Sequence, residues 1–152
     1  MIPTKIVIHH SASSFNTTID DINAWHKLKF NFPSSLGSHV GYHMVIMPDG
    51  KLYQCRRENE VGAHSIPNDG KIGICLVGNF MTSEPKDAQL NKLYEIVEHL
   101  KKTYNISEVW GHRDCNKTEC PGDNLYKYTK LFTKINWLQR LIQKLLKPRT
   151  NA

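Results

Sequence analysis

Two hydrophobic rhythms alternate along this chain, and the switches between them mark its elements. Residues 5–12 (Lys-Ile-Val-Ile-His-His-Ser-Ala) open with an unbroken β-branched run, which predicts a buried strand ending in two histidines. Thr18-Ile19-Asp20-Asp21 is a helix-start word, and Ile22, Trp25 and Leu28 follow at helical spacing, predicting a helix from about Ile19 to Phe30. Trp25 is expected in the core, with His26 as its polar neighbour. Residues 40–47 and 51–55 flank Pro48-Asp49-Gly50 and read as a hairpin. The apolar run 72–78 (Ile-Gly-Ile-Cys-Leu-Val-Gly) reads as a central strand, its glycines marking close backbone neighbours and its Cys75 an inert small hydrophobe. Leu90, Leu93, Val97 and Leu100 form a helical stripe that ends near Asn105, and a short strand over 106–110 follows. Leu131, Ile135, Leu138, Ile142 and Leu145 then predict an amphipathic helix within 125–146. Strands interleaved with about three helices give an α/β domain with a central mixed β-sheet.

Composition changes this picture little. With 152 residues, 39% hydrophobic and 22% charged, the chain suits one domain with a real core. No apolar run is long enough for a transmembrane helix, and Met1-Ile2-Pro3-Thr4-Lys5 is not a secretory signal. The four cysteines are therefore expected as free thiols. The charge of +6 is uneven: seven of the 20 Lys and Arg lie beyond Asn124, where no acid occurs. Basicity belongs to the tail rather than the body, which lacks any nucleic-acid motif, so no nucleic-acid partner is expected. Residues 1–135 read as the main unit, and 136–152 as a basic amphipathic extension suited to an anionic envelope surface.

Candidate chemistry gathers at Gly111-His112-Arg113-Asp114-Cys115-Asn116-Lys117-Thr118-Glu119-Cys120-Pro121-Gly122. His112 falls where a strand runs out, and Cys120 precedes a Pro-Gly stop. Imidazole and thiolate are zinc ligands, but two are too few for a site, and a buried histidine beside an inert cysteine is the plain alternative. The end of the first strand offers a third ligand. His9 and His10 point to opposite faces there, so only one of them can join the site.

The ordered words 6–12, Trp25-His26, Val40-Gly41-Tyr42-His43, Asp49-Gly50, Val61-Gly62-Ala63-His64, 73–80 and 111–122 resemble the zinc-dependent N-acetylmuramoyl-L-alanine amidases of phage endolysins and peptidoglycan recognition proteins. The resemblance covers residues 5 to about 126. It implies one Zn²⁺ per chain, held by His9, His112 and Cys120 in a cleft at the sheet's edge. It implies Tyr42 beside the attacking water and Thr118 in the second catalytic position, where some members carry Lys. Lys117 is adjacent, but no role carries over to it. His64 and Asn79 would contact substrate, His10 would face away, and Cys115 would be incidental. The implied reaction is hydrolysis of the amide between N-acetylmuramic acid and the L-alanine of the stem peptide. A single domain of this kind is expected to be a monomeric phage endolysin, made in the host cytoplasm and acting on the wall after release. The alternative is a non-catalytic peptidoglycan-binding module on the same fold, and members of that kind commonly lack the cysteine ligand.

Overall fold

A computed structural model describes residues 1–132. Its elements run β1 (Lys5–His10), α1 (Ile19–Phe30), β2 (Met44–Ile46), β3 (Leu52–Gln54), β4 (Lys71–Leu76), α2 (Asp87–Tyr104) and β5 (Glu108–Gly111). A 3₁₀ turn (His112–Asp114) follows, and a third helix, α3, begins at residue 123 and continues to the last described residue. The strands form one sheet in the order β3-β2-β4-β1-β5. β1 runs parallel to β4 and β5, β2 parallel to β4, and only β3 is antiparallel. The carboxyl ends of β1, β4 and β5 therefore share one rim, where open α/β sheets place their ligands.

Both faces of the sheet are covered, which is why β1 and β4 read as continuous apolar runs. On one face Ile6, Ile8, Ile72, Ile74 and Leu76 pack against Leu93, Val97 and Leu100 of α2 and Leu125 and Phe132 of α3. On the other a smaller core joins Val45, Cys75 and Val77 to Ile22 of α1. Alternation along β1 sends Ile6, Ile8 and His10 to the first face and Val7 and His9 to the second.

The helix and strand bounds follow the sequence closely, with two differences. Trp25 and Leu28 are 48% and 88% exposed, not core. Ile22, with Ile19, packs against the sheet core, and His26 one turn on from Ile22 meets Gly41 and Tyr42, which turns Trp25 and Leu28 outward. The hairpin ladder is also shorter than expected: β2 begins only at Met44, and of residues 40–43 Tyr42 lines the cleft while His43 keeps backbone bonds to Gly73 and Cys55. The hairpin turn is as expected, with Gly50 at φ 84 and Met47 N–H donating to Lys51 O at 2.9 Å. α1 starts on reciprocal bonds, Asp21 N–H to Thr18 Oγ1 at 3.2 Å and Thr18 N–H to the Asp21 carboxylate at 2.8 Å. Most of the expected 125–146 helix, and the 136–152 extension with its envelope-surface role, lie outside the described residues.

Candidate metal centre

His9 ends β1 on the α1 face, beside Cys75 in the sheet register. His10 points the other way, and its Nδ1 accepts from Phe80 N–H at 3.2 Å. His112 begins the 3₁₀ turn at the end of the edge strand β5. Arg113 folds the following loop back: its N–H donates to Cys120 O at 2.8 Å, and its guanidinium reaches Glu119 O and, at 2.6 Å, Asp123. Cys120 is thereby carried under the rim. The ligand atoms of His9, His112 and Cys120 all lie within 4.8 Å of one another, and His9 Nδ1 is 3.8 Å from Cys120 Sγ. Cys115 is not in the group.

Each imidazole of the group is held neutral. Burial lowers the His9 pKa well below its ordinary value, and the neighbouring His64 and His112 add to the effect. Burial lowers that of His112 as well, partly opposed by its bond to Asn116. The Cys120 thiol is pushed up to about 11 by burial, against the pull of a 3.5 Å bond from His10 N–H. Two neutral imidazoles and a thiol that must lose its proton on metal binding make a site able to hold a metal ion.

His9 and His112 of the group line a cleft of about 600 Å³; Cys120 is not among its lining residues. Tyr42 stands on its wall, its ring centroid 5.0 Å from that of His9 and 5.1 Å from that of His26. Burial raises the phenol pKa well above its usual value, and the hydroxyl meets the buried Cys75 thiol. Thr118 lines the rim, and its Oγ1 accepts from Cys120 N–H at 3.2 Å, leaving the hydroxyl proton free to donate. His64 is also in the cleft, but it is 8% exposed and its Nδ1 lies 3.0 Å from His9 Nε2. Its ring fits because β4 has no side chain at Gly73, where a Cβ would come within 2.6 Å of it. Asn79 is not brought to the cleft; its Oδ1 accepts from Met81 N–H at 3.1 Å and caps the turn after β4.

Among the cleft residues that escape sequence reasoning are His26, Lys29, Asn68 and Asn116. His26 Nδ1 accepts from Gly41 N–H at 2.8 Å, fixing the segment that carries Tyr42. Its position one turn after Ile22 was the available signal. Asn116 Oδ1 lies 3.0 Å from His112 Nε2. Lys117, left without a role by the sequence, lines the rim too. The lining contains no Asp or Glu, and neither Lys29 nor Lys117 has an ion-pair partner among the described residues.

A family model described as N-acetylmuramoyl-L-alanine amidase matches residues 1–123, which contain the whole described group. The chain belongs to this family. Among its relatives, peptidoglycan-recognition protein SD of Drosophila melanogaster is 30% identical over 145 residues, covering 90% of this chain and 76% of that protein. Peptidoglycan recognition protein 1 of Mus musculus is 33% identical over 137 residues, covering 80% and 71%. The solved structure of N-acetylmuramoyl-L-alanine amidase LysC from Clostridium intestinale URNW superposes with a TM-score of 0.78 at 34% identity, over 90% of this chain and 87% of that one. The amidase family thus includes proteins named for hydrolysis and proteins named for recognition, and both resemble this chain.

Proposed function

We propose that this amidase-family chain is a zinc-dependent peptidoglycan hydrolase that cleaves the amide between the lactyl group of N-acetylmuramic acid and L-alanine. The observation that carries the proposal is the convergence of His9, His112 and Cys120 within 4.8 Å of one another, at a cleft that His9, His112 and Tyr42 line. The donor set fits zinc, which favours nitrogen and sulfur ligands and keeps a fourth position open in catalytic sites. Zinc–ligand bonds of about 2.0–2.3 Å place tetrahedral ligand atoms ~3.3–3.8 Å apart, and the His9–Cys120 separation of 3.8 Å is near that range. Cys120 also favours hydrolysis over the alternative, a recognition module on the same fold.

A zinc ion held there supplies Lewis acidity and makes water nucleophilic at neutral pH. The chain's own groups do the rest. The Tyr42 phenol, neutral throughout the physiological range, donates to the carbonyl oxygen as it gains charge, and the Thr118 hydroxyl donates from the opposite rim. The C–N bond breaks as the C–O bond forms, and water provides the hydroxyl of the new carboxyl group and the proton of the released amine. Lys29 and Lys117 draw in a carboxylate-bearing stem peptide. Likeness to the structure titled endolysine LysCS, 34% identical, supports the endolysin reading; such an enzyme would be made in the host cytoplasm and act on the wall after release.

Digestion of purified peptidoglycan followed by mass spectrometry tests the assignment. New L-alanine amino termini on intact glycan, lost on chelation and restored by zinc, are expected. New reducing sugar ends would make the protein a glycosidase. Tight binding with no product would make it a recognition module.

A further inference from the structure

Each histidine of the group has its second ring nitrogen engaged, and both engagements lead to one loop. His64 Nε2 lies 3.4 Å from Lys71 O. A carbonyl only accepts, so His64 carries its proton on Nε2 and offers a lone pair at Nδ1. His9 Nε2, 3.0 Å from that lone pair, must then be the donor. Neutral His9 is left with its own lone pair on Nδ1, the atom that faces Cys120 Sγ at 3.8 Å. The His64 ring is wedged against backbone on both sides: a Cβ on Gly62 or Gly73 would come within 2.5 or 2.6 Å of it.

Asn116 does the same for His112. Its Nδ2 donates to Ile66 O at 3.0 Å and its Oδ1 accepts from Ile66 N–H at 3.0 Å, so two backbone bonds fix which end of the amide is oxygen. That oxygen lies 3.0 Å from His112 Nε2, which must donate to it and leave the lone pair on Nδ1. His64 and Ile66 are two residues apart. Asn68 Oδ1 closes their loop by accepting from His64 N–H at 2.9 Å and Ser65 N–H at 2.8 Å.

We infer that the 64–68 loop, docked on Asn116, presents Nδ1 of both His9 and His112 to the metal, with His64 and Asn116 as positioning residues. The inference rests on the reading of His9, His112 and Cys120 as a zinc site. It moves His64 from contacting substrate to orienting a ligand, and it gives Asn116 a role that its place in the sequence does not suggest. Outer partners of metal-bound histidines are worth about 10–100-fold in metal affinity.

The test pairs ¹⁵N spectra of the histidine rings in the metal-free, full-length protein with zinc affinity from chelator competition. In the wild type both His9 and His112 should carry the proton on Nε2. His64→Leu and Asn116→Ala should give mixed tautomers at His9 and His112 respectively, and weaken zinc binding by about 10–100-fold. His64→Gln, which can still accept from His9 and donate to Lys71 O, should stay near wild type in both readouts. Asn116→Asp keeps the acceptor for His112 but sets a carboxylate oxygen against Ile66 O, so it should hold the His112 proton on Nε2 while loosening the loop. A role confined to loop stability would lower the melting temperature and leave the tautomers alone. Unchanged tautomers and zinc affinity in His64→Leu and Asn116→Ala, mixed tautomers at His112 in Asn116→Asp, or a His64→Gln variant as weak as His64→Leu, would overturn the inference. Failure of the wild type to bind zinc would instead remove the zinc reading, and the metal-free spectra would still decide which nitrogen the loop exposes.

Discussion

At the scale of single residues, the site separates metal binding from chemistry. Cys120→Ser keeps the size of the side chain but offers zinc a far poorer ligand. The variant should fold, lose its zinc and lose hydrolysis; wild-type zinc content would remove Cys120 from the ligand set. Tyr42→Phe removes only a hydroxyl, so zinc content should stay and kcat should fall by about 10²–10³-fold, the scale of one oxyanion donor. An unchanged rate would make Tyr42 a packing residue. His9, His112 and Cys120 stood out as candidates at local boundaries (a strand end, the start of a turn, a Pro-Gly stop), but choosing them over His10 and Cys115 rested on the resemblance to the amidase family. Asn116 was not, because its partners are His112 and a backbone 50 residues away, which no local pattern encodes. Asn79, expected in the cleft, caps its own turn instead.

At the scale of elements, legibility tracked the strength of the periodic signal. The buried strands β1 and β4 and the stripe of α2 emerged with nearly their true bounds. α1 was placed correctly but its faces were misread, because Trp25 promised a core that Ile22 and His26 provide. The glycines of β4 were read as close approaches, and Gly73 is one, made by the His64 ring. Gly73→Ala should therefore act as an overpacking substitution and cost about 1–3 kcal/mol in a denaturant titration. It should also weaken zinc binding through His64. A stability within experimental error of wild type would mean that the ring has room to move.

At the scale of the whole molecule, charge and proton balance dominate. Among the described residues the cleft is lined by two lysines without an ion-pair partner and by no carboxylate, so Lys29→Ala with Lys117→Ala should lower kcat/KM on stem peptides with free carboxylates more than on amidated ones. The gap should close at high salt. Equal losses on both substrates would mean that the lysines do not read charge. Burial also lowers the pKa of His64 to about 3 and those of His26 and His10 to about 4, from 6.5. Below pH 6.5 the unfolded chain takes up protons that the folded chain refuses, so stability is complete above that pH and drains away as pH falls towards 4. Urea midpoints of the metal-free protein should decline steadily from pH 7 to 4.5; a flat profile to pH 5 would contradict the burial of these rings.

The ligands come from opposite ends of the described chain: position 9 in the first strand, and positions 112 and 120 beyond the last. An ion held by all three is a clasp joining the first strand to the loop after the edge strand, and it closes a ring of more than a hundred residues. In the unfolded chain only His112 and Cys120 remain near each other, so most of the clasp's grip belongs to the folded form. By mass action, zinc at 1,000 times its dissociation constant adds about 4 kcal/mol to the folding equilibrium. With zinc as that ion, chelation would unbuckle the molecule as well as disarm it, and inactivation by EDTA would report on chemistry only where a melting curve shows the fold still closed.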